Sequence, residues 1–281
     1  MKIIHSIGLM QKVSSSGKAR GKTIGFVPTM GALHEGHLSL IRAARKDSDL
    51  CVVSIFVNPV QFGPNEDFKK YPRDLRGDTQ LCKKEGVDII FNPDPGEMYP
   101  DDFKTNVYVR QLSGLLCGKS RPGHFAGVAT VVAKLFNIVQ PDLAYFGQKD
   151  AQQAVIIKQM CRDLNFPLKI KIMPTLRNKD GLALSSRNEY LSPKEQGSAL
   201  ALQESLNLAK SCIKKGERDA ARIIRLMKGL IRKEKSAKID YVAIVDPCTL
   251  KPLKKITGGY LIALAVRIGK TRLIDNICTT H

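Results

Sequence analysis

The stretch Ile24–Leu40, "IGFVPTMGALHEGHLSL", decides how this chain is read. An apolar run, Ile24–Val27, ends in Pro28-Thr29-Met30-Gly31, and helix-compatible apolar spacing follows from Leu38 to Asp47. A strand, a turn and a helix in succession put His34 and His37 near a helix N-terminus, at the carboxyl edge of a sheet. That edge is where open α/β sheets bind ligands. A helix N-terminus offers unpaired N–H groups and a partial positive charge, both suited to phosphate. Residues three apart share a helix face, so both imidazoles can reach one group. Gly36, between them, removes a side chain and lets a nucleotide lie against the backbone. On these residues alone, metal ligation and buried, hydrogen-bonded histidines remain alternatives. A zinc pair in H-E-x-x-H is spaced by four rather than three; with His5 and His281 near the ends, only His124 is another interior candidate.

Outward from this stretch the alternation continues. Cys51–Val57, Val87–Phe91, Leu143–Phe146 and Leu168–Met173 read as further strands, separated by helical patterns over Asp74–Glu85, Phe125–Val139 and Ala151–Leu164. This rhythm predicts an α/β fold with a Rossmann-like parallel sheet over residues 1–175. Near residue 175 the rhythm changes to a polar loop, "TLRNKDGLALSSRNEY", after which Ser192-Pro193-Lys194-Glu195 opens a helix with a capping box. A second apolar helix face recurs through Ala220, Ile223, Ile224, Met227, Leu230 and Ile231, and "IDYVAIVD" and "GYLIALAVRIG" read as strands. Residues 176–281 are therefore expected to form a smaller α+β domain acting as a lid. "GKARGKT" and "IGKT" miss the spacing of a phosphate-binding P-loop, and no G-x-G-x-x-G is present.

Composition narrows the classes. Lys and Arg number 45 against 26 Asp and Glu, a net charge of +19 that admits nucleic acid, an anionic membrane surface or an acidic small molecule as partner. The apolar runs fall short of the roughly 20 residues of a membrane-spanning helix. The N-terminal stretch suits neither a secretory nor a transit signal, and the seven cysteines stand singly, so a cytoplasmic protein with reduced thiols is expected. A basic nucleic-acid-binding protein is one reading of the cationic helix around Arg218–Lys238. Aromatic residues at 6% and the absence of Trp leave it without a base-stacking platform.

"HEGH" after a first strand resembles the H-x-G-H signature of the nucleotidyltransferase superfamily. Together with "NPVQFGPNEDFKKYPRD", "SRPGHFAGVATVVAKLFNIVQPDLAYFGQKDAQQ" and "DGLALSSRNEYLS", and on to "TRLIDNI", nearly the whole chain resembles the pantoate–β-alanine ligase family. The resemblance implies ATP-dependent condensation of pantoate with β-alanine through a pantoyl adenylate, releasing AMP and pyrophosphate. It implies Mg²⁺ with the ATP, a homodimer, and no nucleic-acid or membrane partner.

The residues it singles out make chemical sense. His34, His37 and Lys149 are implied as catalytic, with His37 the proton donor, because adenylate formation builds negative charge on phosphates. ATP is implied to contact Met30, Gly31, Ala32, Leu33, His34, Glu35, Gly36 and His37; then Gly147, Gln148, Lys149 and Asp150; and also Leu176, Leu184, Ser185, Ser186 and Arg187. Gln61 and Gln153 are implied for pantoate, because amides both donate to and accept from hydroxyls and carboxylates. Asn58 and Arg121 are expected to line the same cavity, and Asp78 to meet magnesium. Two positions depart from the family pattern: Leu176, where valine is commoner, and Asn178, where an acid often stands. Another H-x-G-H nucleotidyltransferase remains an alternative, although it leaves Gln61 and Gln153 without a purpose.

Overall fold

The structure, a computed structural model, describes residues 1–64 and 66–279, so His281 lies outside the described residues. The chain divides into two units. The first comprises Met1–Ser113, Arg121–Gly147 and Ile156–Pro174. In it six parallel strands, β1 (Lys2–Ile4), β2 (Ile24–Thr29), β3 (Leu50–Ile55), β4 (Ile89–Phe91), β5 (Leu143–Gly147) and β6 (Lys169–Met173), lie in the order β1-β4-β3-β2-β5-β6. The chain steps outward from β2 through β3 to β4, then returns to β5 on the other side of β2. Gly25 pairs there with Leu143 and Phe26 with Ala144. The gap between the carboxyl ends of β2 and β5 is therefore the switch point of the sheet, where doubly wound folds take ligands.

Alternate residues of each strand face opposite layers. Val27, Cys51, Val53, Ile55 and Tyr145 share a buried cluster with Leu38, Ile41 and Ala44 of α2 (Glu35–Asp47). Phe26 and Phe146, one residue out of step, meet Phe136 of α6 (His124–Val139) edge-on, each at 6.4 Å between ring centroids. The remaining helices here are α1 (Ile7–Ala19), α3 (Leu75–Lys84), the single turn α4 (Pro95–Met98) and most of α7 (Ala151–Asp163). β1 and α1 have no counterpart in the sequence reading. A three-residue strand and a helix containing Ser14, Ser15 and Ser16 carry too little apolar periodicity to register.

The second unit comprises Gly114–Ser120, Gln148–Val155 and the chain from Thr175 onward. The two short segments are not anticipated by a single division near residue 175. They are joined by Gln152, whose side-chain amide donates to the Leu115 carbonyl at 2.7 Å and accepts the N–H of Cys117, in the single-turn α5 (Cys117–Ser120), at 3.0 Å. The body of the unit is an antiparallel sheet, β7 (Ala237–Val245), β8 (Tyr260–Ile268) and β9 (Thr271–Thr279), in the order β7-β8-β9. Helices α8 (Pro193–Lys214) and α9 (Ala220–Ile231) share its core: Leu202, Leu206, Ile223, Met227 and Ile231 pack with Ile244, Ile262, Leu264 and Val266. α8 opens on the expected capping box of Ser192 and Glu195. β9 went unread because Asp275 and Asn276 interrupt its apolar alternation, yet both are buried.

Candidate active site

At the β2–α2 junction the backbone turns through the left-handed region twice in succession, at Gly31 (φ 83°) and Ala32 (φ 50°). Only the second is costly for its residue type. A Cβ at Gly31 would lie 2.9 Å from an Asp78 carboxylate oxygen. That carboxylate holds the turn: Oδ2 accepts the Ala32 N–H at 2.9 Å and Oδ1 the Leu33 N–H at 2.7 Å. Asp78 is only 3% exposed, and burial pushes its pKa above the ordinary value against the pull of these two N–H groups. The carboxylate expected to meet magnesium is thus engaged as the anchor of the loop. Among the described residues, no group of three or more His, Cys, Asp or Glu side chains is placed to hold a metal.

The two histidines cap the helix reciprocally. Nδ1 of His34 accepts the Gly36 N–H at 3.1 Å, and Nδ1 of His37 accepts the His34 N–H at 3.3 Å. A ring nitrogen that accepts cannot carry the proton of a neutral imidazole, so in both rings the donor is Nε2. The rings lie 4.2 Å apart between centroids. The junction therefore carries two imidazole rings, each with Nε2 as its donor, at the positive end of a helix dipole beside the switch point.

A second cluster in the same unit surrounds Gln61, which is 9% exposed. Its amide donates to the Met30 sulfur at 3.0 Å and accepts from Asn58 at 3.0 Å, linking it to the histidine loop. Asn58, 1% exposed, also donates to the Gly127 carbonyl at 3.1 Å and accepts the Tyr99 hydroxyl at 2.9 Å. A Cβ at Gly127 would lie 2.7 Å from the Cα of Gln61, so glycine is what allows α6 this close to the turn. His124 bridges from Gln61 to Arg121. The carbonyl of Gln61 can only accept (2.8 Å) and Arg121 can only donate (2.9 Å), which fits a neutral ring protonated on Nδ1. Arg121 in turn grips Glu66 through Nε at 2.6 Å and a terminal nitrogen at 2.5 Å. Burial raises the Glu66 pKa, but the hydrogen bonds and charge of Arg121 outweigh it and leave it below the ordinary value. The sequence reading had Gln61, Asn58 and Arg121 and missed Tyr99, Gly127 and Glu66. Nothing in their local spacing distinguishes them.

Gly147 closes β5, and a Cβ there would meet nothing within 4 Å, so packing does not demand glycine. The chain then enters the turn Gln148–Asp150, in the second unit. Lys149 Nζ lies 4.0 Å from Asp150. The amide of Asn276 donates to the carbonyls of Gln148 (2.9 Å) and Lys149 (2.8 Å) and accepts from the Gln148 side chain (3.0 Å). Gln153 follows, half-buried, in the first turn of α7.

In the same unit Leu176 and Leu184 close a hairpin, Leu184 N–H donating to the Leu176 carbonyl at 3.0 Å. Asn178 turns it, its side-chain oxygen accepting the N–H groups of Asp180 (3.1 Å) and Leu182 (2.8 Å), work that needs no charge. The hairpin delivers Ser185, whose hydroxyl accepts the Arg187 N–H at 3.3 Å and caps the turn Ser186–Tyr190. Arg177, on the hairpin, forms a two-pronged ion pair with Asp275 at 2.6 and 2.9 Å.

The fold and the β2–α2 junction define a Rossmann-like α/β protein with a histidine-capped helix N-terminus at the switch point of its sheet. The sequence matches the family described as Pantoate-beta-alanine ligase over residues 2–278. It is 57% identical over 277 residues to the pantothenate synthetases of Caldicellulosiruptor saccharolyticus and Moorella thermoacetica. In each case the alignment covers 99% of this chain, and 99% and 98% of the respective relatives. The structure resembles the pantothenate synthetase of Thermus thermophilus with a TM-score of 0.93 at 44% identity, covering 99% of both chains. It also resembles the ligase of Francisella tularensis solved with beta-gamma ATP and β-alanine, with a TM-score of 0.80 at 37% identity, covering 99% of this chain and 97% of that one. The chain belongs to the pantoate–β-alanine ligase family.

Proposed function

We propose that this enzyme makes pantothenate in two steps. The pantoate carboxylate attacks the α-phosphorus of ATP, expelling pyrophosphate and leaving pantoyl adenylate. The neutral amine of β-alanine then attacks the acyl carbon and expels AMP. Activation is needed because a free carboxylate is a poor electrophile, and shelter from water preserves the adenylate until the amine arrives. The observation that carries this reading is the reciprocal capping of His34 and His37, in which each Nδ1 accepts a backbone N–H at a helix N-terminus, the kind of end that suits phosphate.

In this reading Met30–His37, Gly147–Asp150, Leu176 and Leu184–Arg187 bind ATP. His34, His37 and Lys149 stabilise the charge developing on the phosphates, with His37 donating a proton to it. Ser185, Ser186 and Arg187 clamp phosphate oxygens. Gln61 and Gln153 read the hydroxyls and carboxylate of pantoate, with Asn58 and Arg121 in the same cavity. Magnesium travels on the ATP oxygens and draws few ligands from the protein. The enzyme works as a cytoplasmic homodimer in which residues 176–281 act as a lid; sedimentation as a monomer at micromolar concentration would overturn the dimer.

The deciding experiment is isotope exchange. With magnesium and pantoate, and without β-alanine, labelled pyrophosphate should enter ATP, and AMP should accumulate only stoichiometrically. Adding β-alanine should make AMP release catalytic. Exchange that ignores pantoate would assign the chain another nucleotidyl transfer, and release of ADP and phosphate would rule out the adenylate.

A further inference from the structure

Two of the ATP segments assigned above, the Gln148–Asp150 turn and the hairpin leading to Ser185–Arg187, are held by neighbouring residues of one strand. Successive side chains of a strand leave opposite faces, so an adjacent pair can hold two different segments. On β9, Asn276 takes the first: its amide satisfies the carbonyls of Gln148 and Lys149 and the side chain of Gln148. Asp275 takes the second: its carboxylate receives both prongs of Arg177, which also donates to the Gly181 carbonyl across the hairpin at 3.0 Å. Asp275 further accepts the Asn276 N–H at 2.8 Å, coupling the two grips. They are 2% and 5% exposed, and buried polar groups are retained at a cost that fully satisfied partners offset.

We propose that Asn276 and Asp275 are positioning residues for adenylation: Asn276 sets the backbone that aims Lys149, and Asp275, through Arg177, sets the approach of Ser185–Arg187. The inference rests on the ATP reading of those segments. Neither residue touches substrate. An aspartate at 276 has the same shape as asparagine, but it replaces the two donated hydrogen bonds by a carboxylate facing two carbonyl oxygens. The turn then shifts, and a displacement of about 1 Å at a charge-stabilising group costs on the order of 10²-fold in rate.

The test is pantoate-dependent pyrophosphate exchange with the full-length enzyme, comparing wild type, Asn276→Asp, Asp275→Asn, Lys149→Ala and the Lys149→Ala, Asn276→Asp double variant, with thermal unfolding recorded for each. Asn276→Asp should lower the exchange kcat about 10²-fold while the pantoate KM stays within about twofold of wild type. Once Lys149 is gone, adding Asn276→Asp should cost little more, because the positioned group is absent. A folded Asn276→Asp enzyme with wild-type exchange, or a full additive loss in the double variant, overturns the inference. If Lys149→Ala itself leaves exchange intact, the phosphate reading of Lys149 fails, and this inference with it. Asp275→Asn reads the second grip. It should lower kcat without raising the pantoate KM, and it decides the matter by the same criterion should Asn276→Asp not fold.

Discussion

The β2–α2 junction and the Gln148–Asp150 turn are both assigned to ATP, yet they are built in opposite ways. At the junction the capping hydrogen bonds join residues two and three positions apart. At the turn the bonds that fix the backbone come from Asn276, 127 and 128 positions along the chain. Local contacts close small loops at small entropic cost and form wherever the residues occur. Contacts over such distances exist only once a sheet has brought the strand into place. Even the junction needs one remote group, Asp78, 45 and 46 positions from the N–H groups it receives. On the proposed reading, phosphate chemistry is thus supplied by one largely local element and one that is only as good as the packing behind it.

The sharpest way to break this contrast is at the largely local element. His37→Ala should lower the first-step rate about 10²- to 10³-fold, the usual loss for one preorganised donor. It should also weaken the helix cap by about 1 kcal/mol. Single-turnover formation of pantoyl adenylate measures the first and thermal unfolding the second; an adenylation rate near wild type would remove His37 from the mechanism.

Next in size is Asp78→Asn. An amide can accept one of the two loop N–H groups, so the other loses its partner, a penalty of about 1–3 kcal/mol. With Ala32 released from its left-handed turn, exchange activity should fall about 10²-fold. The fall should persist at saturating magnesium, whereas a metal ligand's loss should be offset by added ion.

Smaller, and confined to the cluster around Gln61 proposed for pantoate, is Gly127→Ala. The new methyl presses on the Gln61 turn, and such overpacking costs about 1–3 kcal/mol. The pantoate KM should rise about tenfold, by the usual conversion of 1.4 kcal/mol per decade, with the ATP KM little changed. Equal increases in both would show that the turn serves the whole site instead of one substrate.

The smallest effect is acid sensitivity at Glu66. Its folded-state pKa lies below the ordinary 4.5 because Arg121 outweighs burial. The stabilisation from the pair is therefore complete above about that value and is lost as pH falls through the lower folded value. Glu66→Gln should lower stability at neutral pH, where the pair is intact, and flatten the acid limb, so that the two proteins converge below the lower folded value. An unchanged acid limb would mean the pair contributes nothing measurable.

Much of this molecule can be read along the chain. Strand, turn, helix and two histidines lie together in Ile24–Leu40. The parallel α/β alternation and the Ser192 capping box follow from periodicities and spacings of a few residues, because steric and hydrogen-bonding rules at that range act before any tertiary contact exists. The rest was decided by packing. Nothing near Asp78 announces that its carboxylate will meet the Ala32 and Leu33 amides, and Gly127 looks like any helix glycine until α6 lies on the Gln61 turn. Asp275 and Asn276 interrupted the apolar pattern by which their strand would have been recognised. A buried polar side chain takes its meaning from a partner, and the partners of these two, Arg177 and the Gln148–Lys149 carbonyls, lie about a hundred residues or more away in sequence. The three-stranded sheet and the hairpin had to form before those residues could meet, so only the tertiary structure could decide what they do.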